Sequence, residues 1–254
     1  AQTNGMAAPC CMASFHGGNK IGDLHEDPDL LSIWNSEPMK ILRKDMLNER
    51  RNSICNHCYE YERIGKFSER QQYNRDFKAD FKKVATTLPN GTVTNFKIPL
   101  LDIRFSNKCN YKCRICDSEF SAQWYDEEQQ TGKKPKMDSA KEMLVARDKD
   151  KFWESYKQLV PNVKRLHFAG GEPLFMEEHY KTLEYLISVG RTKLTLSYNT
   201  NLSTLQYKKY NLVELWNRFE KVDVWASLDG KNERGDYQRK GQNWKKIEDN
   251  IRVI

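Results

Sequence analysis

The residues with the clearest chemical potential are seven cysteines in three tight groups: Cys10/Cys11, Cys55/Cys58 and Cys109/Cys113/Cys116. An odd number of clustered thiols suits a disulfide framework poorly, because such frameworks staple short secreted chains with evenly paired cysteines. Clustered thiols favour metal. The triplet has the spacing C-x3-C-x2-C. A loop of about eight residues can wrap an iron–sulfur cubane so that three thiolates reach three irons and the fourth iron lacks a protein ligand. Such an open position is what a catalytic metal site needs. An incomplete zinc site or a set of buried apolar thiols is the weaker reading. Lys108, Asn110, Lys112 and Arg114 make a poor apolar core stretch.

The elements that must position these thiols follow from hydrophobic patterning. From residue 98, four short apolar runs appear: Leu100–Phe105, Val163–Phe168, Leu194–Tyr198 and Val222–Leu228. Helical patterns lie between and after them, over Met176–Val189, Tyr210–Phe219 and Trp244–Ile251. Gly190 is the expected C-terminal stop of the first helix. Alternating strand and helix predicts βαβ units and a parallel α/β sheet. Right-handed crossovers would place the helices on one side, as in a barrel or part of one. Chemistry in such folds gathers at the C-terminal ends of the strands. The cysteine triplet follows the first run and Gly170-Gly171-Glu172-Pro173 the second. Asn199-Thr200-Asn201 follows the third, and Ser227 with Asp229-Gly230 ends the fourth.

The N-terminal part reads differently. Asn4-Gly5, Gly17-Gly18 and Gly22-Asp23 supply turns in a short strand-and-turn region over residues 1–27. Residues 29–49 predict one or two short helices with Leu30, Leu31, Trp34, Ile41, Leu42 and Met46 as an apolar stripe. Cys55-Asn56-His57-Cys58 is a CxxC knuckle, and with Cys10 and Cys11 it offers four thiols. Four thiolates also suit tetrahedral zinc, so a structural zinc site is the main rival to a cluster here. His57 and His16 are expected on the surface or behind the ligands. The charged stretch 66–97 ends in Pro89-Asn90-Gly91 and predicts a linker helix and loop. The resulting division is 1–65, a cysteine-rich α+β module; 66–97, the linker; and 98–254, the α/β core.

Cys109-Asn110-Tyr111-Lys112-Cys113-Arg114-Ile115-Cys116, flanked by LDIRFSNKCN and followed after the next strand by FAGGEP, resembles the signature of radical S-adenosylmethionine (SAM) enzymes. The resemblance covers roughly residues 98–254. It implies a partial (β/α) barrel with a [4Fe-4S] cluster on Cys109, Cys113 and Cys116. SAM would bind the open iron and be cleaved reductively to a 5′-deoxyadenosyl radical that abstracts hydrogen from a substrate. Gly170 and Gly171 would let backbone approach the ligand, and Glu172 would accept from the SAM ammonium or fix the loop. Ile115 would pack near the adenine. Ser227 resembles a ribose-contacting position, Asn199 would face the ligand, and Arg239 would pair with the SAM carboxylate. Asp229 would contact substrate, as the candidate catalytic residue, or cap the following helix. PCCMASFHGGNKIGD, LLSIWNSEPMKILRKDMLN and CNHCYEYE resemble the SPASM or twitch modules of such enzymes, which bind an auxiliary iron–sulfur cluster. Cys10, Cys11, Cys55 and Cys58 are its candidate ligands, with the fourth position open. The module usually follows the barrel, whereas here it precedes it. The family's core usually has six strands and four are legible here. The expectation is therefore that part of the barrel, and an N-terminal stretch before AQTNGMAAPCC, lie outside the chain.

Composition bounds the function classes. Apolar residues are 38% and charged residues 30%, a low apolar share for an enzyme core. No apolar run approaches the roughly 18 residues that span a bilayer. No secretory leader opens the chain, so a cytoplasmic oxidoreductase is expected. The net charge of +7 comes from basic residues scattered among acids, which supports nucleic-acid binding only weakly. Relatives with SPASM or twitch modules point to a peptide or protein substrate, with a flavodoxin or ferredoxin as reductant. The alternatives are a radical SAM enzyme acting on RNA or a nucleotide, and a non-enzymatic zinc-binding interaction module.

Overall fold

The computed structural model describes residues 1–13, 20–94, 96–133 and 141–254; His16 and the Gly17-Gly18 turn lie outside the described residues. In chain order the first strands are β1 (Met6–Ala7) and β2 (Gly22–Asp23). Helices α1 (Leu30–Trp34), α2 (Glu37–Leu47), α3 (Asn56–Arg63) and α4 (Glu69–Asp76) follow. Next come β3 (Leu100–Ile103), β4 (Lys112–Cys113), α5 (Tyr125–Gln130), α6 (Lys149–Leu159), β5 (Arg165–Phe168) and α7 (Glu177–Ser188). The chain continues through β6 (Thr195–Thr200), β7 (Gln206–Tyr207), β8 (Tyr210–Asn211), α8 (Leu212–Trp216) and β9 (Lys221–Ala226). It closes with α9 (Asn232–Gln238), β10 (Arg239–Lys240) and α10 (Trp244–Val253). Two compact units result: Ala1–Gly5 with Leu100–Ala146 and Val163–Ile254, and Met6–Pro99 with Arg147–Asn162. No helix among the described residues is long and apolar enough to cross a membrane.

The larger unit is organised by a parallel sheet of order β3-β5-β6-β9. Strand residues alternate faces, and the register lines them up. Leu101, Leu166, Leu196 and Val222 form one row, and Ile103, Phe168, Tyr198 and Val224 a second. Helix α7 covers this apolar face with Tyr180, Leu183 and Leu186, all fully buried. The His179 ring meets Phe168 edge-on at 4.8 Å, and its Nε2 lies 3.0 Å from the Tyr198 hydroxyl. Residues of the opposite parity, Asp102, His167, Ser197 and Asp223, form a polar row on the other face. Such two-sided character departs from the continuous apolar runs of parallel strands buried on both faces. Among the described residues β9 is paired along one edge only, to β6.

Several expected boundaries shift for identifiable reasons. The first strand stops at Ile103 rather than Phe105, because Phe105 and Ser106 pair instead with the segment around Leu144 and Val145. The helix expected over Tyr210–Phe219 is confined to Leu212–Trp216. Tyr210 is drawn into the β7–β8 hairpin, whose turn holds Lys208 at φ 51°. Helix α7 ends as expected, with Gly190 at φ 68° and Arg191 N–H donating to Leu186 O at 2.8 Å.

In the smaller unit, the apolar stripe over residues 29–49 is corrected. Asn35-Ser36 separates α1 from α2, and Pro38 starts the second helix afresh, so the helical phase resets. The buried residues are Leu30 and Ile33 on α1 and Met39 and Leu42 on α2, while Ile41 and Met46 are exposed. Asp29 caps α1 and also accepts from Ser155 Oγ of α6, whose oxygen accepts from Leu30 N–H. Residues 66–97 hold α4 and a run of 3-10 helix over Lys78–Thr86 within this unit.

Candidate cluster sites

The cysteine triplet occupies the loop that leaves β3. Buried Asn107 organises it: its Nδ2 donates to Ser118 O and Lys141 O, and its Oδ1 accepts from Met143 N–H at 2.8 Å. Further along, Ser121 Oγ donates to Tyr111 O, and Trp124 Nε1 donates to Cys113 O at 2.9 Å. Cys109 Sγ accepts from Tyr111 N–H at 3.4 Å. The loop is thus a hydrogen-bonded frame held mainly through its backbone carbonyls.

The glycine-rich turn after β5 braces this frame. Gly171 N–H donates to Ser106 O at 3.0 Å and Glu172 N–H to Lys108 O at 2.8 Å. A Cβ on Gly171 would stand 2.1 Å from Lys108 O and 2.7 Å from Asn107 C. The close approach that demands glycine is therefore to the backbone of the cysteine loop. Gly170, at φ 110°, turns the chain into that contact. Glu172 is 2% exposed. Its Oε1 accepts from Thr200 Oγ1 and Leu174 N–H, and its Oε2 from Asn201 N–H at 2.7 Å. Burial pushes its carboxyl up to about 7 despite these donors. The loop-fixing role expected of it is served by these three bonds. Asn201 continues the bracing, donating from Nδ2 to Asn110 Oδ1 at 2.9 Å.

A two-residue antiparallel ladder sets Arg239 opposite Cys113. Arg239 Nη1 donates to Cys113 Sγ at 3.6 Å, and its Nε lies 2.8 Å from Asp229 Oδ2 in an ion pair. Asp229 does not cap α9, whose N-cap is Lys231. With Glu233, Arg234, Tyr237 and Gln238, Asp229 lines an open depression of about 350 Å³. Arg114 lies over the Tyr237 ring at 3.9 Å and donates to Tyr237 O. Ile115 is 72% exposed. Asn199 is exposed on β6, and Ser227 is half-buried with its N–H bonded to Thr200 O at 2.7 Å. Cys109, Cys113, Glu172, Arg239 and Asp229 thus form one electrostatically linked group. Ile115, Asn199 and Ser227 make no hydrogen bond to it among the described residues.

The triplet's donor chemistry fits a cluster. Burial pushes the Cys109 thiol up to about 12. Cys116 is pushed up because it donates to Cys113, and Cys113 is lowered by that bond despite its burial, with Arg239 adding to the effect. Partly dry thiols resist ionisation until a cation holds their charge. Among the described residues, no three His, Cys, Asp or Glu side chains converge on a point fit for one metal ion. Thiolates on separate irons of a cubane need no such common point.

In the smaller unit, Cys55 sits at the N-cap of α3 and Cys58 is buried one turn on. Cys10 feels the charges of Cys11 and Cys55, and Cys55 that of Cys58, so the four thiols form a chain of neighbours. Burial raises Cys10 to about 11 and also raises Cys55. These are again thiols that a metal would ionise. No disulfide joins the described cysteines. His57 is exposed and packs on Tyr61 at 4.8 Å. Sequence reasoning missed Asn107 and Tyr73, whose hydroxyl lies 3.6 Å from Cys11 Sγ. An Asn two residues before the triplet is a turn signal, but nothing local marks which carbonyls it reaches. Tyr73 carries no such signal at all.

Residues 2–59 match the family model of the SPASM domain, described as an iron–sulfur cluster-binding domain. The stretch that carries Cys10, Cys11, Cys55 and Cys58 is thus similar to an iron–sulfur cluster-binding module of the kind associated with radical SAM enzymes. A comparison with curated proteins gives no match.

Proposed function

We propose that this chain carries the radical SAM core of an enzyme, together with an N-terminal auxiliary cluster module. Cys109, Cys113 and Cys116 would hold a [4Fe-4S] cluster in the larger unit, and Cys10, Cys11, Cys55 and Cys58 are the candidate ligands of a second cluster in the smaller one. The observation that carries the reading is the triplet loop at the C-terminal end of β3, braced by Gly171 and faced by Arg239. The SPASM match adds independent support, since such modules accompany radical SAM chemistry.

When bound, the cluster and SAM supply a 5′-deoxyadenosyl radical able to take a hydrogen atom from a substrate. The chain's own residues hold and orient. Arg239 places positive charge beside Cys113, where it offsets thiolate charge and is within reach of a ligand carboxylate. Asp229 anchors Arg239 from the other side and borders the open depression, a position from which it can meet substrate. Glu172 spends its acceptors on Leu174, Thr200 and Asn201, holding the glycine turn and the end of β6 together. Exposed Ile115 offers an apolar surface beside the triplet for a flat ring. Asn199 and Ser227 border the same end of the sheet. A peptide or protein substrate and a flavodoxin- or ferredoxin-type donor complete the reading.

Anaerobic reconstitution with iron and sulfide, followed by reduction in the presence of SAM, tests it. Formation of 5′-deoxyadenosine that is abolished by Cys113→Ala, with the N-terminal iron retained, is the expected result. Iron content and visible absorbance that are indifferent to Cys113→Ala would end the proposal, since the triplet would then hold no cluster.

A further inference from the structure

The SPASM match ends at residue 59, yet a polar group from beyond it reaches one of the module's sulfurs. The Tyr73 hydroxyl, on α4, lies 3.6 Å from Cys11 Sγ. The helix that carries it is held in place deliberately well. Ser68 caps it with a reciprocal capping box to Gln71. Glu62, on α3, accepts from Ser68 Oγ and from Arg70 Nε and Nη2. Helix α3 also carries Cys58 and has Cys55 at its N-cap. One helix thus fixes two of the thiols and the first turn of α4. Tyr73 follows Arg70 by three residues, on the same side of α4. Next to Cys58, the Tyr59 ring lies between the guanidinium groups of Arg51 and Arg70, at 5.2 and 5.3 Å. This packing ties α4 to the knuckle a second time.

A thiolate bound to iron has no proton to give. In the loaded module the bond between Tyr73 and Cys11 can run in one direction only, from phenol to sulfur. We infer that Tyr73 is a positioning residue of the auxiliary cluster, donating its O–H to Cys11 Sγ and thereby raising the cluster's reduction potential. The inference rests on the reading that Cys11 binds that cluster. The reduced cluster carries one more negative charge than the oxidised one. A donor to a cluster sulfur therefore stabilises the reduced state more, and hydrogen bonds to the sulfurs are among the recognised determinants of potential.

The experiment uses the full chain carrying Cys113→Ala, reconstituted anaerobically, so that the signal comes from the N-terminal cysteines. Redox-poised electron paramagnetic resonance is read with and without Tyr73→Phe, alongside iron content and circular dichroism. Tyr73→Phe should keep its iron and fold and lower the ratio of reduced to oxidised cluster at fixed potential about tenfold, equivalent to about 59 mV for one electron. An unchanged potential in a folded, iron-loaded Tyr73→Phe protein overturns the inference. Cys11→Ser with unaltered iron and spectrum overturns it through its premise, since Cys11 would then not be a ligand. Failure of the cluster reading itself has a separate signature: iron content that is indifferent to Cys58→Ala.

Discussion

Gly171→Ala is the substitution through which the bracing of the cysteine loop can be measured. The new Cβ would stand 2.1 Å from Lys108 O, 2.6 Å from Lys108 C and 2.7 Å from Asn107 C, all backbone atoms with no rotamer to yield. The two segments must part. Overpacking of this kind costs about 1–3 kcal/mol. Parting also weakens the bonds from Gly171 to Ser106 O and from Glu172 to Lys108 O, each contributing about 1 kcal/mol. The expected loss is about 2–4 kcal/mol, or a fall in Tm of roughly 5–12 °C for a chain of this size. Because Lys108 adjoins Cys109, the damage should fall on the triplet. Iron at the triplet should drop while iron at the N-terminal module stays. Gly190→Ala is the control: its Cβ meets nothing within 4 Å, and only its φ of 68° costs, about 1 kcal/mol. Calorimetry together with iron analysis of both variants checks this. A Gly171→Ala protein as stable as wild type, with full iron, would refute the argument that glycine is needed there for backbone contact.

Other outcomes follow from the same structure. Asn107→Ala leaves Met143 N–H, Ser118 O and Lys141 O without their partner in a buried loop, and should lower stability by about 2–4 kcal/mol in urea unfolding. Burial lowers His179 to about 3, against 6.5 when unfolded. The unfolded chain therefore takes up the proton first, and stability present above pH 6.5 is lost as pH falls toward 3. The loss is about 1.4 kcal/mol per pH unit, or about 2 kcal/mol at pH 5. His179→Leu should flatten that part of the pH dependence, read as the difference between variant and wild type in urea midpoints. Cys58→Ala should remove iron from the N-terminal module and leave iron at the triplet unchanged, as measured by iron content and visible absorbance.

The order of strands and helices from residue 98 onward was legible because each run is long enough to show its period, and because Gly190 stops a helix by a local conformational preference. The closeness of the three thiols was legible for a similar reason: residues within one short loop are neighbours in almost any fold. Long-range partners were not. Arg239 stands 126 residues from Cys113, and only the β4–β10 ladder brings them together. The space around Gly171 is filled by a loop 63 residues away, so its need for glycine is invisible locally. The helix phase over residues 29–49 depended on a break at Asn35-Ser36 that a continuous apolar pattern conceals. Tyr73 belongs to the same class, since nothing around it in the sequence points to Cys11. Composition and spacing thus determined which sulfur atoms lie together along the chain. The tertiary structure decided what surrounds those atoms, because burial and hydrogen bonding depend on packing between segments that share no local pattern.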